Sequence, residues 1–315
     1  MDFRNMKNLL ADNTYPRIIT LSFKERLLEK QFNERMGYCL NLNNPKTFNE
    51  KIQWIKLYYH NPLVTKCADK YAVRQYVEKT IGGGYLIPLA GNGIYNKASD
   101  IDFDALPEKF ALKITDGWAR NIVCEDKSKL NREETREQLT EWLDKGRSQY
   151  YRNLEWGYKN IKPRILCEEY IEQERDLKDY KIWCFGGKAE CVMVCSERGT
   201  NLQFDYFDTG WNRLQFTRNG YPFGILDLQP PKSIARMLEV AERLAKAFPF
   251  VRVDLYEING ETKFGEMTFT PDNGMGSFEP YEWDEKYGEL LVLPKKGFVF
   301  PFEINRRKVR FSKPK

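Results

Sequence analysis

The chain has 315 residues, 42% of them hydrophobic, enough for two domains or one large one with a real core. Its 50 basic and 45 acidic side chains nearly cancel, at a net +5, which argues against nucleic acid as the main partner. There is one histidine, His60, so a multi-histidine zinc site is excluded and any Ser-His-Asp or Cys-His chemistry would rest on that residue alone. Seven cysteines without a CxxC spacing, mostly in apolar runs, read as buried thiols in a reducing cytoplasm. Residues 1–14 lack the apolar core of a signal peptide, and no run approaches a membrane span.

Residues 1–46 read as an irregular helical lead-in, most periodic from Phe23 to Phe32. Thr47, with Glu50 three residues on, is a capping box for a helix that buries Phe48, Ile52, Ile55 and Tyr59. His60 at its end is expected to cap carbonyls. A second helix is expected from Pro62 to Thr80, closed by Gly82-Gly83-Gly84, with Lys66, Lys70 and Arg74 as a basic ridge. The ridge is either solvent-facing or a contact for a substrate phosphate.

From there the pattern turns to mixed helix and strand. Strands are expected at 85–89, 110–114, 122–124 and 164–171, with a charged helix over 131–145. Residues 180–185 and 189–196 form a hairpin about Gly186-Gly187, 203–207 a further strand, and 231–248 an amphipathic helix with proline in its first turn. A last short helix covers 281–290, and a basic tail from Arg306 to Lys315 ends the chain.

The most informative stretch is Val251 to Gly276. Two alternating runs flank Asn259-Gly260, a strong hairpin signal. Placing Val251, Val253, Leu255, Met267 and Phe269 on one apolar face sets Val253 opposite Met267. The loop then holds an odd number of residues, which fits a three-residue turn with a glycine-assisted bulge. This register pairs Glu257 with Lys263 and brings Asp254 opposite Glu266. Facing carboxylates repel unless one is protonated or both hold a cation. A hard divalent ion, Mg2+ shared with phosphates, is one reading; two solvated carboxylates on an open face is the other. If they repel, Glu266→Gln should raise the melting temperature without metal.

Elsewhere Lys113 ends an apolar strand ahead of a loop with Gly117. It is placed to meet a phosphate or simply to face solvent, and no GxxxxGK[ST] is present. Glu168-Glu169 close a strand before Ile171. Lys181 and Arg198 point to one end of the sheet if their strands are antiparallel.

In this order the pieces resemble an ATP-grasp enzyme, and more narrowly the ATP-grasp family named for teichuronopeptide biosynthesis, found among bacterial surface-polysaccharide genes. The resemblance covers about residues 38–295. It is carried by Asn44-Pro-Lys-Thr-Phe-Asn-Glu-Lys-Ile-Gln-Trp54, Ala68-Asp-Lys-Tyr71, Asp179-Tyr-Lys181 and Phe264-Gly-Glu-Met-Thr-Phe-Thr-Pro271. It implies an α+β ATP-grasp fold, with nucleotide held between two antiparallel-sheet subdomains. The parts would be an N-terminal helical, acceptor-side region (1–83), a small subdomain with the phosphate loop (84–170), a large subdomain with the metal hairpin (171–295) and a basic tail (296–315). The cofactors implied are ATP and Mg2+. Lys113, Lys181 and Arg120 would meet phosphates, and Glu168, Glu169 and Ile171 the adenine and ribose. Arg198, with Lys181, would serve catalysis, and Asp254 and Glu266 would bind Mg2+. Where the family generally has asparagine, two residues after Glu266, this chain has Thr268, so Thr268 or Asn273 would supply that ligand. The implied activity is a carboxylate–amine ligase acting through an acyl phosphate on a sugar acid and an amine of surface-polysaccharide synthesis. A nucleotide-sugar glycosyltransferase, for which Asp102-Phe103-Asp104 is the matching string, a kinase and a non-catalytic module are the rivals.

Overall fold

A computed structural model describes residues 21–117, 119–145, 148–171, 177–196, 202–224 and 227–296. The first helix, α1 (Leu21–Met36), buries Leu27, Leu28 and Phe32. The expected capping box starts α2 (Phe48–Tyr58): the Thr47 side chain accepts from Glu50 N–H and Glu50 reaches back to the cap. Its apolar stripe is buried as expected, but so are Asn49, Gln53 and Lys56 on the polar face. His60, beyond its end, bonds the Leu57 carbonyl and stacks on Trp156 at 5.0 Å; burial and the nearby Lys24 and Lys159 lower its pKa.

The single helix expected over 62–80 is two, α3 (Pro62–Ala68) and α4 (Val73–Ile81). Asp69 makes the break. Its carboxylate accepts from the N–H groups of Tyr71 and Ala72, at 2.8 and 2.9 Å, offering the backbone an alternative to the helix. Lys70 N–H then bonds the Thr115 carbonyl instead. The first strand also starts later than expected. Residues 83–85 form a 3-10 turn and β1 is Leu89–Tyr95, with Gly91 and Gly93 at φ 57° and 73° where its register shifts.

The remaining elements follow the expected order: β2 (Phe110–Ile114), β3 (Asn121–Cys124), α5 (Arg132–Lys145), α6 (Ser148–Asn153), β4 (Ile165–Glu169), β5 (Asp179–Phe185), β6 (Lys188–Ser196) and β7 (Gln203–Phe207). Then come β8 (Thr217–Arg218), α7 (Ile234–Ala245), β9 (Phe250–Ile258), β10 (Glu261–Thr268), β11 (Phe278–Glu279) and α8 (Glu282–Leu290). Helix α6 and the two-residue strands β8 and β11 are too short to leave a periodic signal. Two main antiparallel sheets result, ordered β1-β4-β2-β3 and β10-β9-β5-β6-β7, besides a two-stranded β11-β8 pair. The smaller sheet has its own apolar core about Phe103, Phe110 and Leu112. The larger shares one core with α1 to α4, through residues such as Phe48, Ile52, Trp183 and Phe250. The seven cysteines are free thiols, with only Cys39 exposed.

The β9–β10 hairpin keeps the expected pairs Val253–Met267 and Asp254–Glu266 but reaches them differently. Its turn is the tight two-residue form, Asn259 and Gly260 both at positive φ, and the odd residue is a bulge at Gly265. A Cβ there would lie 2.9 Å from the Asp254 carbonyl oxygen, so the bulge sits where only glycine fits. Between turn and bulge the register is therefore shifted by one. Glu257 faces Thr262, not Lys263, and accepts from Ser233 N–H and Oγ, both at 2.7 Å.

Candidate active site

On β9 the alternation that buries Val251, Val253 and Leu255 turns Arg252 and Asp254 to the opposite face, where Glu266 and Thr268 of β10 meet them. Lys181 on β5 lies opposite Asp254 from the other side. The expected repulsion between Asp254 and Glu266 is relieved by cations of the chain itself. Arg252 Nε and Nη2 donate to the Asp254 oxygens at 2.7 and 2.8 Å. Lys181 Nζ bonds Asp254 and sits 2.7 Å from Asp179. Lys70 Nζ is 3.0 Å from Glu266 and donates to the Gly117 carbonyl at 2.6 Å. Three carboxylates and three cations thus form one network. Burial alone would raise the Glu266 pKa, but Lys70, Lys181 and Arg252 together hold it well below the usual carboxylate range. Burial opposes the Arg252 charge, and Asp254 more than restores it.

A second cluster joins the smaller sheet to α4. Glu168, buried, accepts from Lys113 Nζ at 2.7 Å and from Arg74 Nη1 at 3.1 Å. Arg74 also donates to the Ile87 carbonyl at 3.0 Å. Glu169 is exposed and Ile171 half-buried at the end of β4. The loop after Lys113 turns at Gly117 and Ala119, φ 76° and 56°; Trp118 lies outside the described residues. Arg120 is held by Asp116 at 3.5 Å and the Trp142 carbonyl at 3.2 Å, which ties it to α5. Arg198 also lies outside the described residues.

Beside the first cluster opens a cleft of about 1020 Å3, whose walls include Arg152, Tyr158, Arg252, Glu266, Thr268 and Asp272. Arg35 and Gln31 of α1 form part of its lip. Among the described residues no group of three or more His, Cys, Asp or Glu side chains converges as a metal cage. Mg2+ seldom has one: it takes one or two carboxylates, waters and substrate phosphates. The facing pair Asp254 and Glu266 fits that demand once phosphates take over Lys181 and Arg252. Thr268 Oγ1 accepts from Arg252 at 3.1 Å and stays on this face. Asn273 also lines the cleft, with its Oδ1 accepting from Lys56 at 2.7 Å.

The sequence offers Lys70 and Arg74 only as part of a ridge, solvent-facing or in contact with a substrate phosphate, and does not single out Arg252. Lys70 and Arg74 read as members of a continuous helical ridge with Lys66, and only the break at Asp69 separates them from it. Arg252 had a usable signal: it lies two residues before Asp254, hence on the face of both carboxylates.

No curated protein matches the chain. Among solved structures it is similar to D-alanine–D-alanine ligase from Bacillus anthracis complexed with ATP (15% identity, 65% of this chain and 55% of that one, TM-score 0.40). It is also similar to N5-carboxyaminoimidazole synthase from Aspergillus clavatus (10%, 73% and 53%, TM-score 0.39). A third is phosphoribosylamine–glycine ligase from Thermotoga maritima (11%, 67% and 51%, TM-score 0.39). The chain spans about half the length of these proteins. The family model described as TupA-like ATPgrasp matches residues 50–292, and the chain belongs to that ATP-grasp family.

Proposed function

We propose that the protein is an ATP- and Mg2+-dependent carboxylate–amine ligase that joins a sugar acid to an amine in cytoplasmic synthesis of a surface polysaccharide. The observation that carries the reading is the Asp254–Glu266 pair, neutralised by Lys181, Arg252 and Lys70 on the wall of a large cleft. A carboxylate is a poor electrophile at neutral pH. Phosphorylation by ATP turns it into an acyl phosphate, which an amine attacks, and the charge developing on the transferred phosphoryl must be neutralised. Lys113 and Lys181 bind the phosphates, each leaving a carboxylate partner to do so, and Lys70 reaches the same space from α4. Glu169 and Ile171 face the ribose and adenine; Glu168 sets Lys113 and Arg74. Arg198 steadies the transferring phosphoryl, and Arg120 orders the loop after Lys113. Asp254, Glu266 and Thr268 are the oxygens that would hold Mg2+, whose charge offsets that of the phosphates when it is bound.

The glycosyltransferase reading needs Asp102 and Asp104 free for a metal. Asp102 Oδ1 instead accepts from the N–H groups of Asp104 and Ala105, and Asp104 pairs with Arg132 at 2.8 Å, as in a surface turn. The deciding test uses an 18O-labelled carboxylate acceptor with ATP and amine. A ligase places label in the released phosphate, since a carboxylate oxygen leaves with it. Unlabelled phosphate, or a stable phosphorylated sugar, defeats the ligase and favours a kinase.

A further inference from the structure

The turn that follows β10 is built more rigidly than a connection requires. Asp272 and Asn273 are consecutive non-glycine residues in the left-handed region, φ 51° and 59°. Such residues are sparse, costly and persist only where their surroundings over-determine them. Here the surroundings do so from three sides. Gln53 of α2 donates to the carbonyls of Asn273 and Gly274, at 2.9 and 2.7 Å. Lys56 donates to Asn273 Oδ1 at 2.7 Å. Arg218 donates to Asp272 Oδ2 at 2.6 Å while lying over the Phe278 and Trp183 rings, 4.6 and 4.9 Å from their centroids. Arg218 is only 2% exposed, whereas the Asp272 side chain is 41% exposed and faces the cleft beside Arg252 and Glu266. A buried guanidinium, an aromatic cage and a strained backbone thus combine to present one carboxylate to the cleft.

The other acidic side chains of the cleft are already engaged. Glu266 is held by Lys70, Glu155 by Thr270 at 2.5 Å and Asn153 at 3.2 Å, and Glu34, on α1 at the lip, pairs with Lys30 at 3.7 Å. Among the described residues only Arg218 bonds the Asp272 carboxylate, through Oδ2, and Oδ1 stays open to the cleft. We propose that Asp272 is the acceptor-amine site: its carboxylate binds the incoming ammonium. This rests on the ligase reading. The bound ammonium gives one proton to the water of the open cleft. The amine nitrogen then forms the C–N bond, the acyl C–O bond breaks with its electron pair on phosphate, and the nitrogen's second surplus proton leaves with the phosphate. The ligand class is a primary amine that arrives charged.

The test compares two nucleophiles at one acid. Wild type is incubated with ATP, Mg2+ and glucuronate or galacturonate, with either hydroxylamine, which is uncharged at neutral pH, or glycine, L-lysine or ethanolamine. Hydroxamate is read by its ferric complex, and ADP release gives KM and kcat for the amine. Asp272→Asn keeps a residue that tolerates positive φ, so the turn persists and only the charge is lost. The expected result is at least a tenfold fall in kcat/KM for the amine, carried by KM, a fall below threefold in hydroxamate, and partial rescue by Asp272→Glu. Equal losses with both nucleophiles, or an unchanged KM for the amine, overturn the assignment while leaving the ligase intact. No hydroxamate and no ADP release from wild type with either acid and any of the nucleophiles overturns the ligase reading on these substrates and the assignment with it. Matching thermal unfolding of wild type and Asp272→Asn confirms that the comparison is between folded proteins.

Discussion

Lys56 shows what a single buried charge does to this molecule. It is 2% exposed, and its three N–H donors meet Gln53 Oε1, Asn273 Oδ1 and the Asn273 carbonyl. Burial pushes its pKa down to about 7, with Glu155, the one charged group acting on it, pulling the other way. In the unfolded chain the same lysine holds its proton to above pH 10. Between these values the unfolded state binds more protons, so stability rises with pH, by up to about 1.4 kcal/mol per unit. The six buried thiols, whose pKa values burial raises, act with the opposite sign over the same range, so the comparison is with a variant that keeps them. By urea denaturation wild type should gain stability relative to Lys56→Met as pH rises from 7 to 9, and the substitution should loosen the turn at Asn273. A pH dependence unchanged by the substitution would mean that Lys56 is not its source. Glu266 gives a slope of the same sign in a lower pH window. Its folded pKa is depressed, so its contribution is full above the ordinary carboxylate range and is lost only as pH falls through the lowered value. The sequence alone suggested that removing it would relieve repulsion. With Lys70 3.0 Å away the expectation reverses: Glu266→Gln should lower the melting temperature, by the equivalent of about 1 kcal/mol, and should abolish ATP turnover.

Between residues and fold, the segment 69–74 does the most for the site. Asp69 stops α3, starts the next turn and pairs with Arg164 at 3.3 Å, tying α4 to the smaller sheet. From there Lys70 reaches Glu266 and Arg74 reaches Glu168. Asp69→Ala should cost about 1–2 kcal/mol, as for loss of a helix cap. It should also weaken nucleotide binding more than Lys66→Ala does; equal effects would show that the break has no bearing on the site. Such a break is hard to read from sequence, because 67–77 keeps helical spacing and only a side-chain-to-backbone bond interrupts it. What was legible had strong local physics. The Thr47–Glu50 box, the apolar face of β9 and β10, and the Asp254–Glu266 register all came from pattern. The bulge was implied by parity, but its place at Gly265 depends on a close approach to the Asp254 carbonyl that no pattern records. Arg218 and Asp272 were illegible for the same reason, since tertiary packing alone brings a two-residue strand over an aromatic cluster.

At the scale of the whole molecule, each sheet carries charges already paired: Lys113 with Glu168 on the smaller, Lys181 with Asp254 on the larger, and Lys70, from the turn between α3 and α4, with Glu266. On the proposed ligand set, a nucleotide's phosphates would compete with carboxylates for those cations. Free ATP would then displace three pairs and leave carboxylates uncompensated, a costly state in a buried site. With Mg2+ the freed Asp254 and Glu266 would gain a partner, and the exchange would conserve charge. The two ligand states should differ in thermal shift. Mg-ATP at 100-fold over its dissociation constant adds about 2.7 kcal/mol, which for a chain of this size is about 4 °C. ATP with EDTA should give a clearly smaller shift, and UDP-glucose with Mg2+ none. The Mg2+-dependent part should vanish in Glu266→Gln and persist in Asp102→Asn. If Asp102→Asn loses it and Glu266→Gln keeps it, the metal belongs to the acidic turn at 100–104, and the β9–β10 hairpin is not the nucleotide's metal site.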